Sequence, residues 1–381
     1  MKQASTSHGF SLVELLLATT IGLILLSGMI AVFSGNKRSS ELNVAMANLQ
    51  ENARFAIDKI SKDARMAGFQ GCIDINRGPA TVLAAAEPTA DYHATAAQAS
   101  VISADDVWTP APPLGFTPTN HNAVPGTHAL TLQFGHPSTF PLLSQVGTAG
   151  VANRTGPAII NITPGISSRP FDLEVDDYAI ISDCATADIF RISALDTTAT
   201  TATLAHAAPA NKSGAFSTEF GAPDTLRMTR VMRFVSNVYY VGDTGLTNDR
   251  GDAVTALYQQ SLPYGDPTNN PPTELIRGIE NMRISFGLRT GVNSLIYVDP
   301  SDSRFDPTQV ETVRIGLLMN SFDRISDNND TNTYVIAGQA IAPATPGATT
   351  STSTHAGDSR LRLAFNTTVK VRNRRPTAMS N

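Results

Sequence analysis

Charge is scarce in this chain of 381 residues: Asp, Glu, Lys and Arg make up 16%, against about a quarter in an average soluble protein. The net charge is −5, which removes any global argument for a nucleic-acid binder. Cysteine is nearly absent, with only Cys72 and Cys184. Two thiols suffice for one disulfide and are too few for a cysteine-only zinc site. HExxH, GxSxG, CxxC and Walker patterns are missing. The seven histidines are scattered at 8, 93, 121, 128, 136, 206 and 355. No catalytic constellation, metal site or cofactor is therefore expected. Proline is the last absence: the chain has 23, but none precedes Pro79. Such a gap marks one long regular element.

What fills that gap begins with residues 10–33, FSLVELLLATTIGLILLSGMIAVF, whose one charge is Glu14. At about 1.5 Å per residue this run crosses a hydrocarbon core of about 30 Å. It is too long for the apolar core of an ordinary signal peptide, which runs about 7–15 residues. A carboxylate in such a span costs on the order of a few kcal/mol and needs a partner. A cut before Phe10 would supply one. The new α-amino group would carry a positive charge four residues upstream of Glu14, in a medium where such a pair is strong.

Past Lys37 the apolar positions are Leu42, Met46, Leu49, Ala53, Ile57, Ile60 and Ala64. Steps of three and four define one helical face. Glu41, Asn43, Gln50, Glu51, Arg54, Asp58 and Lys62 fall between them. An apolar half-helix is thus followed by an amphipathic one, with Gly35-Asn36 as the expected kink or break.

From about residue 79 the pattern becomes β-rich. Nine strands are expected, at 129–134, 157–162, 177–182, 188–193, 201–206, 232–241, 282–288, 310–319 and 360–373. In the last, Leu361, Leu363 and Phe365 alternate with Arg360, Arg362 and Asn366, as in an antiparallel sheet with one wet face. Two long loops are expected at about 76–126 and 343–358, the second disordered. The run 323–332, DRISDNNDTN, carries calcium-type oxygens but lacks the Gly and Glu of an EF-hand. It reads as a solvated hairpin loop. Lys370, Arg372, Arg374 and Arg375 read as a solvated strand end, with a DNA or partner contact as the alternative.

Gly9-Phe10-Ser11-Leu12-Val13-Glu14-Leu15 resembles the prepilin leader and cut site, GF(S/T)LxE. The resemblance implies a prepilin peptidase cut after Gly9, methylation of Phe10, and pairing of Glu14 with the N-terminus of a neighbouring subunit. The family usually carries Lys or Arg just before the glycine, where this chain has His8. Lys2 is the leader's one Lys or Arg, while Lys37 and Arg38 follow the span. Flanking charge therefore does not orient the anchor by the positive-inside rule. Leader-inside is expected because the rest of the chain has the composition of an exported protein.

Segments 49–72 (LQENARFAIDKISKDARMAGFQGC), 177–193, 274–288, 310–321 and 367–374 resemble the PilW type of minor pilin. That resemblance implies an α+β, pilin-like fold: a prepilin leader 1–9, a transmembrane and assembly helix 10–35, its amphipathic half 36–70, and a β-rich periplasmic or extracellular head 71–381. The implied role is structural, in priming pilus assembly at or near the tip. Implied partners are other minor pilins, the major pilin, the peptidase, the inner-membrane assembly platform and a tip adhesin. In an oxidising periplasm Cys72 and Cys184 are expected to pair. Two rival readings stand beside this one: a J-type minor pseudopilin of type II secretion, and a membrane-tethered periplasmic enzyme.

Overall fold

The computed structural model describes residues 11–73, 80–85, 97–102, 108–109, 121–144, 146, 154–164, 171–222, 224, 226–261, 270–291, 294–306, 309–344 and 354–373. A single α-helix, Leu12–Met66, opens it. It runs unbroken for 55 residues, about 82 Å at the α-helical rise. The helix is therefore not broken at Gly35-Asn36. One glycine in a helix costs only about 1 kcal/mol relative to alanine, and turns on both sides carry it.

Every side chain from Ser11 to Val44 is exposed, although Arg38 within this stretch pairs with Asp327 of the head. The second half buries Leu49, Ala53, Ala56, Ile60, Ser61, Asp63 and Ala64. Leu42 and Met46 lie closer to the free half and stay partly open, and Ile57 sits at the border of the buried face. The helix ends at Met66, four residues before the expected boundary.

Each of the nine expected strand segments overlaps a strand, with ends differing by up to three residues where the expected run is longer. The strands do not form one sheet. A four-stranded antiparallel sheet joins Ser294–Val298, Ile279–Gly291, Val310–Arg324 and Arg360–Lys370 in that order. Met282, Ile284 and Phe286, with Val313, Ile315 and Leu317, point from it into the core that receives the helix. A larger sheet is organised around Arg230–Thr247. The first half of that strand pairs with His128–Pro141 on one side and Tyr178–Ser182 on the other. Its second half exchanges Tyr178–Ser182 for Ala253–Ser261. The head thus has two lobes, with Arg230–Thr247 and His128–Pro141 running through both. The proximal lobe holds the helix; the distal lobe has its own core of Phe140, Phe190, Phe216, Phe220, Ile181 and Val231.

The expected loop 76–126 is not strand-free, since it contains Thr81–Val82, Ala97–Ile102 and Trp108–Thr109. Its short runs are too brief to show a period. Within 343–358, Thr354–His355 pairs in parallel with Ala342-Pro343, while 345–353 lie outside the described residues.

The expected wet face of the four-stranded sheet is corrected in part. Ala364, Asn366 and Thr368 on that side of the last strand are exposed, but a hairpin of Tyr334–Ile336 and Gln339–Pro343 covers the rest around Leu318. Gly316 permits the approach, because a Cβ there would lie 2.4 Å from the Ala337 nitrogen. Arg360 and Arg362 are buried on this same side. The Arg362 side chain has no exposed surface. It donates to Glu280 at 2.7 Å and to Asp358 at 2.7 Å, with Asp330 at 3.4 Å. Removing one partner of such a group strands the others. Arg362→Ala is therefore expected to lose about 3–5 kcal/mol in urea unfolding, and Arg362→Met clearly less than Arg362→Ala if the lost volume contributes. Wild-type stability in Arg362→Ala would contradict a buried, paired cluster.

Candidate functional site

The candidate site is the helix itself and its junction with the head. Ser11 stands at the N-cap and Glu14 in the first turn, where the helix dipole favours a negative charge. Around Glu14 lies a sheath of exposed apolar side chains, from Leu12 and Val13 through Leu25 and Met29 to Phe33. Glu14 has no side-chain partner among the described residues. The hydroxyls of this stretch are satisfied internally: Thr19, Thr20 and Ser27 donate to the carbonyls of Leu16, Leu17 and Ile24 at 3.0, 2.9 and 2.8 Å. A polar side chain closed onto its own helix in this way is tolerated in an apolar medium. Gly9 and Phe10 lie outside the described residues.

At the other end the helix is held by four kinds of contact. Asp63 is buried and accepts from Tyr239 at 2.6 Å and Asn237 at 2.8 Å. Burial, then the Asp63 charge, push the Tyr239 hydroxyl far above its usual pKa, so it stays a donor. Asn373 donates to the carbonyls of Arg65, Met66 and Ala67, satisfying orphan acceptors of the last turn. Gly68 donates to Gln133 at 2.9 Å, and Phe69 accepts from Gly135 at 2.6 Å, which lays the chain across His128–Pro141. Cys72 is then disulfide-bonded to Cys184, with Cα atoms 4.7 Å apart. The periodicity found Leu49, Ala53, Ile60 and Ala64 but missed Ala56, Ser61 and Asp63. The spacing Ala56–Ile60–Asp63 was available as a signal, but a carboxylate gives no reason to be placed inside.

Two charged segments change character in the structure. In 323–332, Asp327 pairs with Arg38 of the helix at 2.8 Å, and Asp330 accepts from Tyr334 at 2.9 Å beside Arg362. These oxygens are committed to cations and hydroxyls, not arranged as a cage. In the basic strand end, Lys370 reaches Glu311 at 3.3 Å, and Arg374 and Arg375 lie outside the described residues.

The head is built for neutral pH. His128 is fully buried between the larger sheet and the four-stranded sheet; its Nδ1 accepts from the Ile284 amide at 3.1 Å, and Arg283 lies 2.9 Å from Nε2. Burial first, then Arg283, lower its pKa from 6.5 to about 4. His206 stacks on Phe216 at 3.8 Å between ring centroids, and burial lowers it as well. A lowered histidine binds fewer protons folded than unfolded, so stability falls as pH drops from about 6.5 to 4. The hydrogen bond from Arg324 holds Asp252 down at about 2; its stabilisation is present above about 3.9 and lost as pH falls through about 2. Urea midpoints should therefore hold from pH 8 to 7, drop by pH 5, and drop again by pH 3. His128→Gln should flatten part of the first fall. Equal midpoints at pH 7.5 and 4.5 would contradict the burial of these imidazoles.

Residues 5–30 match the family model Prokaryotic N-terminal methylation motif. Residues 238–373 match the family model Type IV Pilus-assembly protein W. No curated protein and no solved structure gives a match. The second matched region starts in the shared strand Arg230–Thr247 and contains the four-stranded sheet that receives the helix. Among the described residues one helix is long and apolar enough to cross a membrane, and the motif match at 5–30 runs into its first half. The two matches, one at the apolar helix and one over the sheet that grips it, support a type IV minor pilin of the PilW type, anchored in the inner membrane before it enters the pilus.

Proposed function

We propose that this protein primes type IV pilus assembly and sits at or near the pilus tip, where it supports twitching motility, adhesion or DNA uptake. The observation that carries this reading is the bare apolar half-helix, continuous with a half that is locked into the head. Such a surface has no place in water: about 25 cal/mol per Å² of apolar area drives it into lipid or against other helices. The same helix can therefore be stored in the membrane and moved into a fibre without refolding the head.

In this scheme the peptidase cuts between Gly9 and Phe10, and Phe10 is methylated. The new amine supplies the cation that Glu14 needs, from a neighbouring subunit at assembly. The partners are other minor pilins, the major pilin, the inner-membrane assembly platform and a tip adhesin. The distal lobe lies away from the helix-gripping sheet and outside the matched region 238–373 for most of its length. That position suits display at a fibre end. The role is structural, not enzymatic.

The test is deletion of the gene, with surface pili and type II secretion scored in the same strain. Loss of pili with intact secretion is expected. Normal pili with failed secretion would transfer the protein to the J-type pseudopilins.

A further inference from the structure

The helix meets the head first at Arg38, whose guanidinium lies 2.8 Å from Asp327. Arg38 is only five residues beyond Phe33, the end of the apolar run. Along an α-helix that is about 7.5 Å. The polar layer on each side of a bilayer core is about 5–7 Å deep, and spanning helices tilt by about 20°. The loop that carries Asp327 therefore lies at headgroup level whenever the helix spans the membrane.

That loop has the chemistry of a headgroup-facing surface. Ser326, Asp327, Asn328 and Asn329 are all exposed, and none of them is apolar. The loop is also rigidly backed. Ile325 and Ser326 donate to the Ser359 carbonyl at 3.1 and 3.0 Å, and Asp330 donates to that of Asp358 at 3.1 Å. Between it and the helix opens a groove of about 330 Å³, lined by Arg38, Leu42, Asn328, Asn329 and Tyr334 among others.

We propose that this base of the head rests on the inner-membrane surface in the stored subunit, with the groove facing phospholipid headgroups. The N–H groups of Arg38 that Asp327 does not take, and the amide groups of Asn328 and Asn329, donate to lipid phosphate, a geometry guanidinium and amide donors suit. Leu42 lies against the glycerol region. The contact sets the head's orientation before assembly and is given up when the subunit leaves the bilayer.

Single-tryptophan proteins test this in vesicles of phosphatidylethanolamine and phosphatidylglycerol. The native Trp108 is first changed to Phe. Three reporters are compared: Asn328→Trp at the base, Leu23→Trp in the span, and Met228→Trp just before the far end of Arg230–Thr247. That strand is 18 residues long, about 55 Å, and its near end is tied to the base by Asn248 to Phe322 at 2.9 Å. A nitroxide on the lipid headgroup should quench most Asn328→Trp emission and little of Met228→Trp. A nitroxide deep in the acyl chain should quench Leu23→Trp. Quenched Leu23→Trp with unquenched Asn328→Trp overturns the surface while leaving the anchor intact. Both unquenched would overturn the anchor too. Shielding of Asn328→Trp from aqueous iodide that grows with protein density, without lipid quenching, would assign the face to a neighbouring copy and overturn the lipid proposal.

Discussion

Glu14→Ala should be cut at Gly9 as efficiently as the wild type and yet be depleted from sheared pili by at least about tenfold, the factor that corresponds to 1.4 kcal/mol. Removing a carboxylate from an apolar span makes insertion easier, so the anchor and the cut survive. What disappears is the partner for a buried α-amine. A cation left unpaired in a low-dielectric bundle costs more than the same cation in water. Glu14→Gln keeps the shape and removes the charge, so it should fail like Glu14→Ala if the pairing is ionic. Quantitative blotting of membrane and pilus fractions reads both the cut and the incorporation. Wild-type levels of either variant in the pili would remove the pairing role from Glu14.

The second large effect concerns the junction. Cys72 and Cys184 are 112 residues apart in sequence, and a loop of that length contributes on the order of 4–5 kcal/mol in the chain-entropy model. The turn that carries Cys184 does not depend on the bridge for its shape. Asp183 accepts from the amides of Ala185 and Thr186 at 3.1 and 2.8 Å, and the flanking strands pair from Ser182↔Ala187 to Tyr178↔Arg191. Cys184→Ser should therefore fold natively but unfold at a markedly lower urea concentration. The junction should exchange amide hydrogens faster than the four-stranded sheet does. Unchanged stability in Cys184→Ser, or two free thiols in exported wild-type protein, would contradict a structural bridge.

Much of this architecture was legible because the relevant signals are local. The absence of proline before Pro79 and the three-four spacing of Leu49, Ala53, Ile60 and Ala64 are properties of one helix. The strands reveal themselves by short β-branched runs. Burial is a different matter, because alternation assigns residues to two faces and cannot say which face is covered. Arg360 and Arg362 looked solvated for that reason. Asp358 is a near neighbour in sequence, but the other counter-ions of Arg362, Glu280 and Asp330, lie 82 and 32 positions away, and no local pattern links those. Asp63 was missed for the same reason, since its partners Asn237 and Tyr239 are 174 and 176 residues distant. The division into two lobes depends on where Arg230–Thr247 changes neighbours, which is long-range pairing and not composition.

Gly9, Phe10 and Glu14 form the part of the proposed site that sequence alone supplied, because they stand out on a short motif that needs no folded context. The grip of the head on the helix is the part that the structure added. In the proposed scheme the membrane-borne and fibre-borne states share the same helix, so the central claim concerns how that helix begins in mature protein. Intact-mass and N-terminal fragment spectra of the protein recovered from sheared pili measure it directly. The expected result is a chain that starts at Phe10 with a methylated amine and retains the Cys72–Cys184 bridge. A chain that still starts at Met1 in the pili, or protein confined to the membrane with Phe10 never exposed, would contradict the account.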